Sequence, residues 1–128
     1  MRRGNMKKEN PIEVTEPGFA VAFDGPIAAP EHHKVIFEND RVRVVDFRVK
    51  PGDTVPLHTH RWPTVNYVIA LSEFLSYDRN GNLKHDSRSG ETLQREGSVF
   101  YLPALPPLHS VENIGDGEIR GVAVELKD

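Results

Sequence analysis

From Lys34 onward the chain alternates apolar and polar residues in short runs, each closed by a turn signal. Successive side chains of a strand point to opposite faces, so a period of two predicts half-buried β-strands. "HKVIFEN" is the first, closed by Asn39-Asp40. "RVRVVDFRV" follows, with a slip at Val44-Val45 that suggests a bulge in this strand. After the turn "KPGD", "LHTHRW" and "TVNYVIAL" are strands broken at Pro63, which cannot donate to a ladder. "EFLSYDRNGNLKHD" predicts a hairpin with a type I′ turn at Asn80-Gly81. "ETLQ" and "SVFYLP" are short strands, and "LHSVENIGDGEIRGVAVEL" holds two more around Gly115-Asp116-Gly117. No window past Lys34 sustains a helical period. Many short strands at roughly 8–12-residue spacing predict an all-β antiparallel sandwich or barrel.

Residues 1–30 differ: they are rich in Pro, Gly and charge, and "FAVAF" is their one strand-like piece, broken off by "DGPIAAP". The expected division is an N-terminal extension, 1–30, and a β-barrel domain, 31–128. The extension either covers a sheet edge or a partner subunit, or frays.

Composition then removes whole classes of chemistry. With no cysteine, disulfides, zinc thiolate sites, iron–sulfur clusters and thiol nucleophiles are excluded, and a metal site needs His, Asp, Glu or neutral oxygen donors. A net charge of -3 does not suggest a nucleic-acid partner, which would favour a basic face. No run approaches the roughly 18 apolar residues of a membrane span. The basic "MRRGNMKKEN" is followed by "PIEVTEPG" rather than an apolar stretch, so a cytoplasmic location is expected. P-loop, dinucleotide and nucleophile-elbow motifs are absent.

The six histidines are the informative set. His32, His33 and His85 fall in loop-like or turn-flanking positions and read as exposed polar residues. His58 and His60 stand two apart in a predicted strand, hence on one face about 6.5 Å apart at the backbone. Such a pair either grips one metal ion or lines a wet surface. The same face continues through Trp62, Thr64 and Asn66, a mixture unsuited to a dry core and suited to a cavity wall. Trp62 is either a cavity wall or a core residue. The opposite face, Val65, Tyr67 and Ile69, reads as packing surface. Phe100 and Tyr101 read as core, and Arg61 as surface.

Two motifs in this β-rich chain resemble those of small single-domain cupins. "GDTVPLHTH" gives Gly52, five residues, then His58-x-His60; "GSVFYLP" gives Gly97, five residues and Pro103; "HSVEN" gives His109 and, four positions on, Asn113. The resemblance spans about Val35 to Leu126 and implies a double-stranded β-helix, or jelly-roll, barrel in which His58, His60 and His109 hold a divalent transition metal such as Fe, Mn, Ni or Zn. Two departures stand out. The family's glutamate position falls on Thr64 or Val65, and the second motif lacks its Gly after Pro103 and carries one extra residue before His109. Three neutral imidazoles would leave the site's formal charge at +2, a stronger Lewis acid open to anionic ligands. The implied function is a metal-dependent enzyme, with dioxygenase the leading subclass, on a small organic acid or carbonyl compound. The alternatives are a non-enzymatic module that binds or senses a small molecule, and a metal-free barrel. A homodimer paired edge to edge is expected.

Overall fold

The computed structural model describes residues 20–90 and 95–127. The expected strand "ETLQ" and the first 19 residues lie outside the described residues. The described residues form nine strands: β1 (His33–Glu38), β2 (Val42–Val49), β3 (Thr54–His58), β4 (Thr64–Ala70), β5 (Phe74–Asp78), β6 (Leu83–Asp86), β7 (Val99–Leu102), β8 (His109–Asn113) and β9 (Ile119–Leu126). They make two antiparallel sheets, ordered β1-β2-β9-β4-β7 and β3-β8-β5-β6. Among the described residues no helix is long and apolar enough to cross a membrane.

Strand alternation decides what the interior contains. Val45, Val49, Val55, Val68 and Ile119 point inward and are buried. Ala29, Val49, Val55 and Ile119 plug one end of the barrel, backed by Phe47, Leu71, Phe74 and Val111. The other end is polar: His58, Thr59 and Glu125 are among the largest fully buried side chains there, and the equally buried Asn113 sits at the Val49 end. Asn113 spans the chain ends of its turn, donating to the carbonyls of Val49 (2.9 Å) and Gly117 (2.8 Å) and accepting from the Gly115 amide (3.0 Å). Gly52 and Gly97, the leading glycines of the two motifs, both sit at positive φ, +85° and +84°, where a Cβ is disfavoured. Leu105 occupies the missing Pro-x-Gly glycine position and also adopts positive φ, 55°. The chain keeps the turn that the glycine would make easily and accepts the backbone strain.

Four local expectations are corrected. "FAVAF" is not a strand where described: Val21–Phe23 form a 3-10 turn and Gly25–Ala28 a single helical turn with Pro26 at its start, where proline's fixed φ suits a helix. The bulge belongs to β1, not β2. Val35 faces Val45 and Phe37 faces Val44, which leaves Ile36 as the extra residue. The Asn80-Gly81 turn is not type I′, which needs positive φ at both central residues; only Gly81 has it. Instead the Asp78 carboxylate accepts from the Asn80 and Asn82 amides at 2.8 and 2.9 Å, holding a longer loop. Finally, Val65, Tyr67, Ile69 and Tyr101 are not core: they are 36%, 48%, 38% and 59% exposed. With Val99 they form an apolar outer face, because Val65 pairs with Tyr101 and Tyr67 with Val99 across β4 and β7.

Candidate metal centre

Sheet pairing brings distant histidines together. His58 ends β3 and His109 begins β8, and the two are direct cross-strand partners, so their side chains share a face. Their ring centres are 4.4 Å apart. His60 follows β3 by two residues, its ring centre 5.0 Å from that of His58 and 5.5 Å from that of His109. Its backbone is held in place on both sides: its carbonyl accepts from the Leu105 amide at 2.9 Å, and the neighbouring Thr59 hydroxyl donates to the Pro106 carbonyl at 2.5 Å. The irregular segment before His109 is thereby tied to the His58–His60 strand despite its extra residue.

An ion about 2.1 Å from a ring nitrogen lies roughly 3.2 Å from the ring centre. Ring centres sharing one ion are then about 4.5 Å apart at a right angle and about 5.2 Å apart at a tetrahedral angle. The three separations of His58, His60 and His109 bracket these values.

Hydrogen bonds also set the tautomers. His58 Nδ1 lies 2.8 Å from the Pro56 carbonyl and His109 Nδ1 lies 2.8 Å from the Pro107 carbonyl. A carbonyl only accepts, so each Nδ1 carries the proton and each Nε2 is left with its lone pair. That is the form in which imidazole binds a metal, with the outer nitrogen fixed by a backbone partner. Burial, reinforced by the neighbouring imidazoles, lowers His58 to about 2 and His60 to about 3, and burial lowers His109 as well. All three are neutral imidazoles at neutral pH.

Two of the histidines read as exposed are buried. His32 is held 3.4 Å from the Asp53 carboxylate. His33 opens β1 directly opposite Phe47, an inward residue of β2, and so faces the interior. One ring nitrogen each from His33, His58 and His60 lie within 4.8 Å of one another. His85 is partly buried, lines the cavity, and packs its ring 5.5 Å from Phe74.

The histidines open into a cavity of about 550 Å³. Thr64 and Asn66 line it, and the Asn66 amide donates to the Thr64 hydroxyl at 2.8 Å. Phe100, expected in the core, lines it too. Trp62 does not; Arg43, Arg61 and Lys127 stack over its ring at 5.0, 5.1 and 5.5 Å. Gly121 and Ala123 point inward from the centre of the five-stranded sheet, and their small side chains leave the space open.

Sequence reasoning found no carboxylate in the pocket, yet Glu125 lines it. Glu125 stands directly opposite Thr64, the position left without a carboxylate, and opposite Arg43 on the other side. Arg43 bonds to Glu125 and reaches Asp24 at 3.0 Å, giving one guanidinium between two buried carboxylates. Burial raises the pKa of both Asp24 and Glu125 even against the pull of Arg43. Burial opposes the charge on Arg43, but the bonds to its partners outweigh that and its pKa rises. The one available signal for Glu125 was parity, a charged residue in register with inward Ile119.

No protein-family model and no curated protein matches the sequence. Solved structures do. A cupin domain from Bordetella pertussis Tohama I aligns with a TM-score of 0.60 at 24% identity, covering 75% of this chain and 92% of that one. An RmlC-like cupin family protein from Methanocaldococcus jannaschii aligns at 0.53 and 15% identity, covering 73% and 77%. A conserved protein with a double-stranded β-helix domain from Klebsiella pneumoniae aligns at 0.52 and 21%, covering 74% and 75%. The strand order and these likenesses agree, and the chain has the cupin fold, a double-stranded β-helix barrel.

Proposed function

We propose that the protein binds one divalent transition ion through His58, His60 and His109 and is a metal-dependent enzyme acting on a small organic acid or carbonyl compound. Dioxygenase chemistry is the leading subclass. The observation that carries the reading is the pair of backbone carbonyls that hold the Nδ1 protons of His58 and His109 and leave both Nε2 lone pairs for an ion. Imidazole ligation suits Fe, Mn, Ni or Zn. Such an ion supplies Lewis acidity and positions for anionic ligands.

The chain's own residues do the rest. The cavity, lined by Val68, Phe100 and Leu102 as well as polar groups, excludes bulk water around a small molecule. Thr64 and Asn66 offer a hydroxyl and an amide to orient a carboxylate or carbonyl. Glu125, with its raised pKa, is the group placed to take a proton from a bound acid or hydrated carbonyl, and Arg43 stabilises the charged form between transfers.

Oxygen uptake by the iron-loaded protein, screened against small 2-oxo acids, hydroxy acids and diketones, tests the enzymatic part. At least one substrate is expected to be consumed together with O₂, and the rate is expected to fall at least about a hundredfold in His58→Ala, since ligand residues act as a unit. Tight binding of a small acid with no turnover would instead establish the sensing module.

The protein is further proposed to act in the cytoplasm as a homodimer. The outer face of Val65, Tyr67, Val99 and Tyr101 supports pairing through this sheet face rather than edge to edge, because contiguous exposed apolar patches mark interaction sites. Light scattering on size-exclusion fractions is expected to show a dimer for the wild type and a folded monomer for Tyr67→Lys/Tyr101→Lys. A dimer unaffected by that double change would place the interface elsewhere.

A further inference from the structure

We infer that His33 is a fourth ligand of the same metal centre, supplying from β1 the coordination that the carboxylate-less Thr64 position does not. The inference rests on the metal-binding reading above and adds to it a residue outside both cupin-like motifs.

Three observations converge on His33. First, its ring sits close to two of the three rings, and one nitrogen each from His33, His58 and His60 lie within 4.8 Å of one another. Its centre lies 4.7 Å from that of His58 and 5.8 Å from that of His60, against about 4.5–5.2 Å for right-angle to tetrahedral ligation and somewhat more for wider angles. Second, its tautomer is set in the same way. His33 Nδ1 lies 3.0 Å from the Ala29 carbonyl, which only accepts, so the proton sits on Nδ1. His33 Nε2 is buried and has no hydrogen-bond partner among the described residues. A buried polar atom left unpaired costs stability, about 1–3 kcal/mol, and native structures rarely keep one without a use. Third, the surroundings make room for this ring. A Cβ added at Gly25 would lie 2.9 Å from His33 Cδ2 and 3.1 Å from Nε2, so Gly25 provides the space the ring occupies. The short helical turn that contains Gly25 also delivers the Ala29 carbonyl to Nδ1. One local element thus both seats the ring and orients it.

The chemical consequence is a centre of four neutral imidazoles. Its formal charge stays at +2 with a divalent ion, whereas a carboxylate ligand would reduce it to +1. All-nitrogen ligation favours Ni, Cu, Zn or Fe over Mn, which prefers oxygen donors. With four ring ligands, fewer positions stay open for a small molecule than three would leave.

The test uses the whole chain, freed of metal and reloaded with Zn²⁺ or Co²⁺. In the wild type labelled with ¹⁵N-histidine, zinc loading is expected to shift the Nε2 resonances of four histidines, His33 among them, while the Nδ1 proton of His33 persists. X-ray absorption is expected to show four imidazole ligands in the wild type and three in His33→Gln. By chelator competition His33→Gln is expected to bind zinc at least about tenfold more weakly, since loss even of outer-shell partners costs about 10–100-fold. Gly25→Ala, which crowds the ring without removing it, is expected to weaken binding in the same direction. An unmoved His33 Nε2 resonance on zinc loading overturns the inference without any variant. Unchanged affinity and Co²⁺ spectrum in His33→Gln, with binding lost in His58→Ala, overturns it while leaving the three-histidine centre intact. A wild type that binds neither ion overturns the metal centre itself, and His33 with it.

Discussion

The metal-free protein is expected to lose several kcal/mol of stability as the pH falls from 7 to 5. Burial holds His58 at about 2, His60 at about 3 and His33 at about 4 in the fold, against an unfolded value near 6.5. Between those limits the unfolded chain binds protons that the folded chain does not. Stability therefore rises with pH through this window and is lost as pH falls below about 6.5. One pH unit is worth about 1.4 kcal/mol per group, so at pH 5 each imidazole removes about 2 kcal/mol and the three together at most about 6. Asp24 and Glu125 work in the opposite direction, since burial raises their folded pKa values above the ordinary carboxylate ones and proton uptake in the fold offsets part of the loss. Against a typical total of about 5–15 kcal/mol, the imidazole effect is large. Thermal denaturation in the presence of a chelator is expected to show the midpoint falling by more than about 10 °C over this range. His58→Asn is expected to flatten the slope. A midpoint that stays constant from pH 7 to 5 would mean that the imidazoles are already solvated or charged, contrary to the buried arrangement described.

Replacing Arg43 is the second large effect. Arg43→Met is expected to cost about 3–5 kcal/mol, the usual result of leaving a buried charge without its partner, or roughly 10–20 °C in melting temperature for a domain of this size. The reason lies in the count of charges. Asp24 and Glu125 are 5% and 2% exposed, and the Arg43 guanidinium bonds to both. Without it, two carboxylates remain in a low-dielectric region and must take up protons or admit water. The variant is accordingly expected to lose less stability than the wild type on mild acidification, because its unpaired carboxylates take up protons more readily, and Arg43→Met/Glu125→Gln is expected to recover part of the loss. Asp24 belongs to the segment before β1, so the same change should loosen residues 20–29, visible as faster amide exchange there. A loss below about 1 kcal/mol would show that the three groups are solvent-screened rather than buried.

What could be read from the sequence depended on how local its physical cause was. His58 and His60 stood out by their one-residue spacing, and His109 through the resemblance to the cupin motifs, whose leading glycines Gly52 and Gly97 both adopt positive φ. The all-β architecture followed from period-two runs and frequent turns. His33 and Glu125 were invisible for the same reason as each other. Both become interior residues through cross-strand register, His33 opposite Phe47 and Glu125 opposite Thr64, and a single sequence does not state which strand lies beside which. The apolar stripe Val65-Tyr67-Ile69 was assigned to the wrong side because alternation defines two faces without saying which one meets the barrel interior. Here the polar face of β4 turns inward to the cavity and the apolar face outward, the reverse of the usual sense. At Asn80-Gly81 the composition was right for a turn, but the Asp78 side chain captured the loop amides and selected a different one.

The most direct test of the metal centre is the ion content of protein purified without a histidine tag, measured by elemental analysis before and after reloading with Fe, Ni and Zn. About one equivalent per chain is predicted, falling to near zero when His58, His60 and His109 are together replaced by Ala in a protein that remains folded. Less than about a tenth of an equivalent in the reloaded wild type, for every ion tried, would contradict the account.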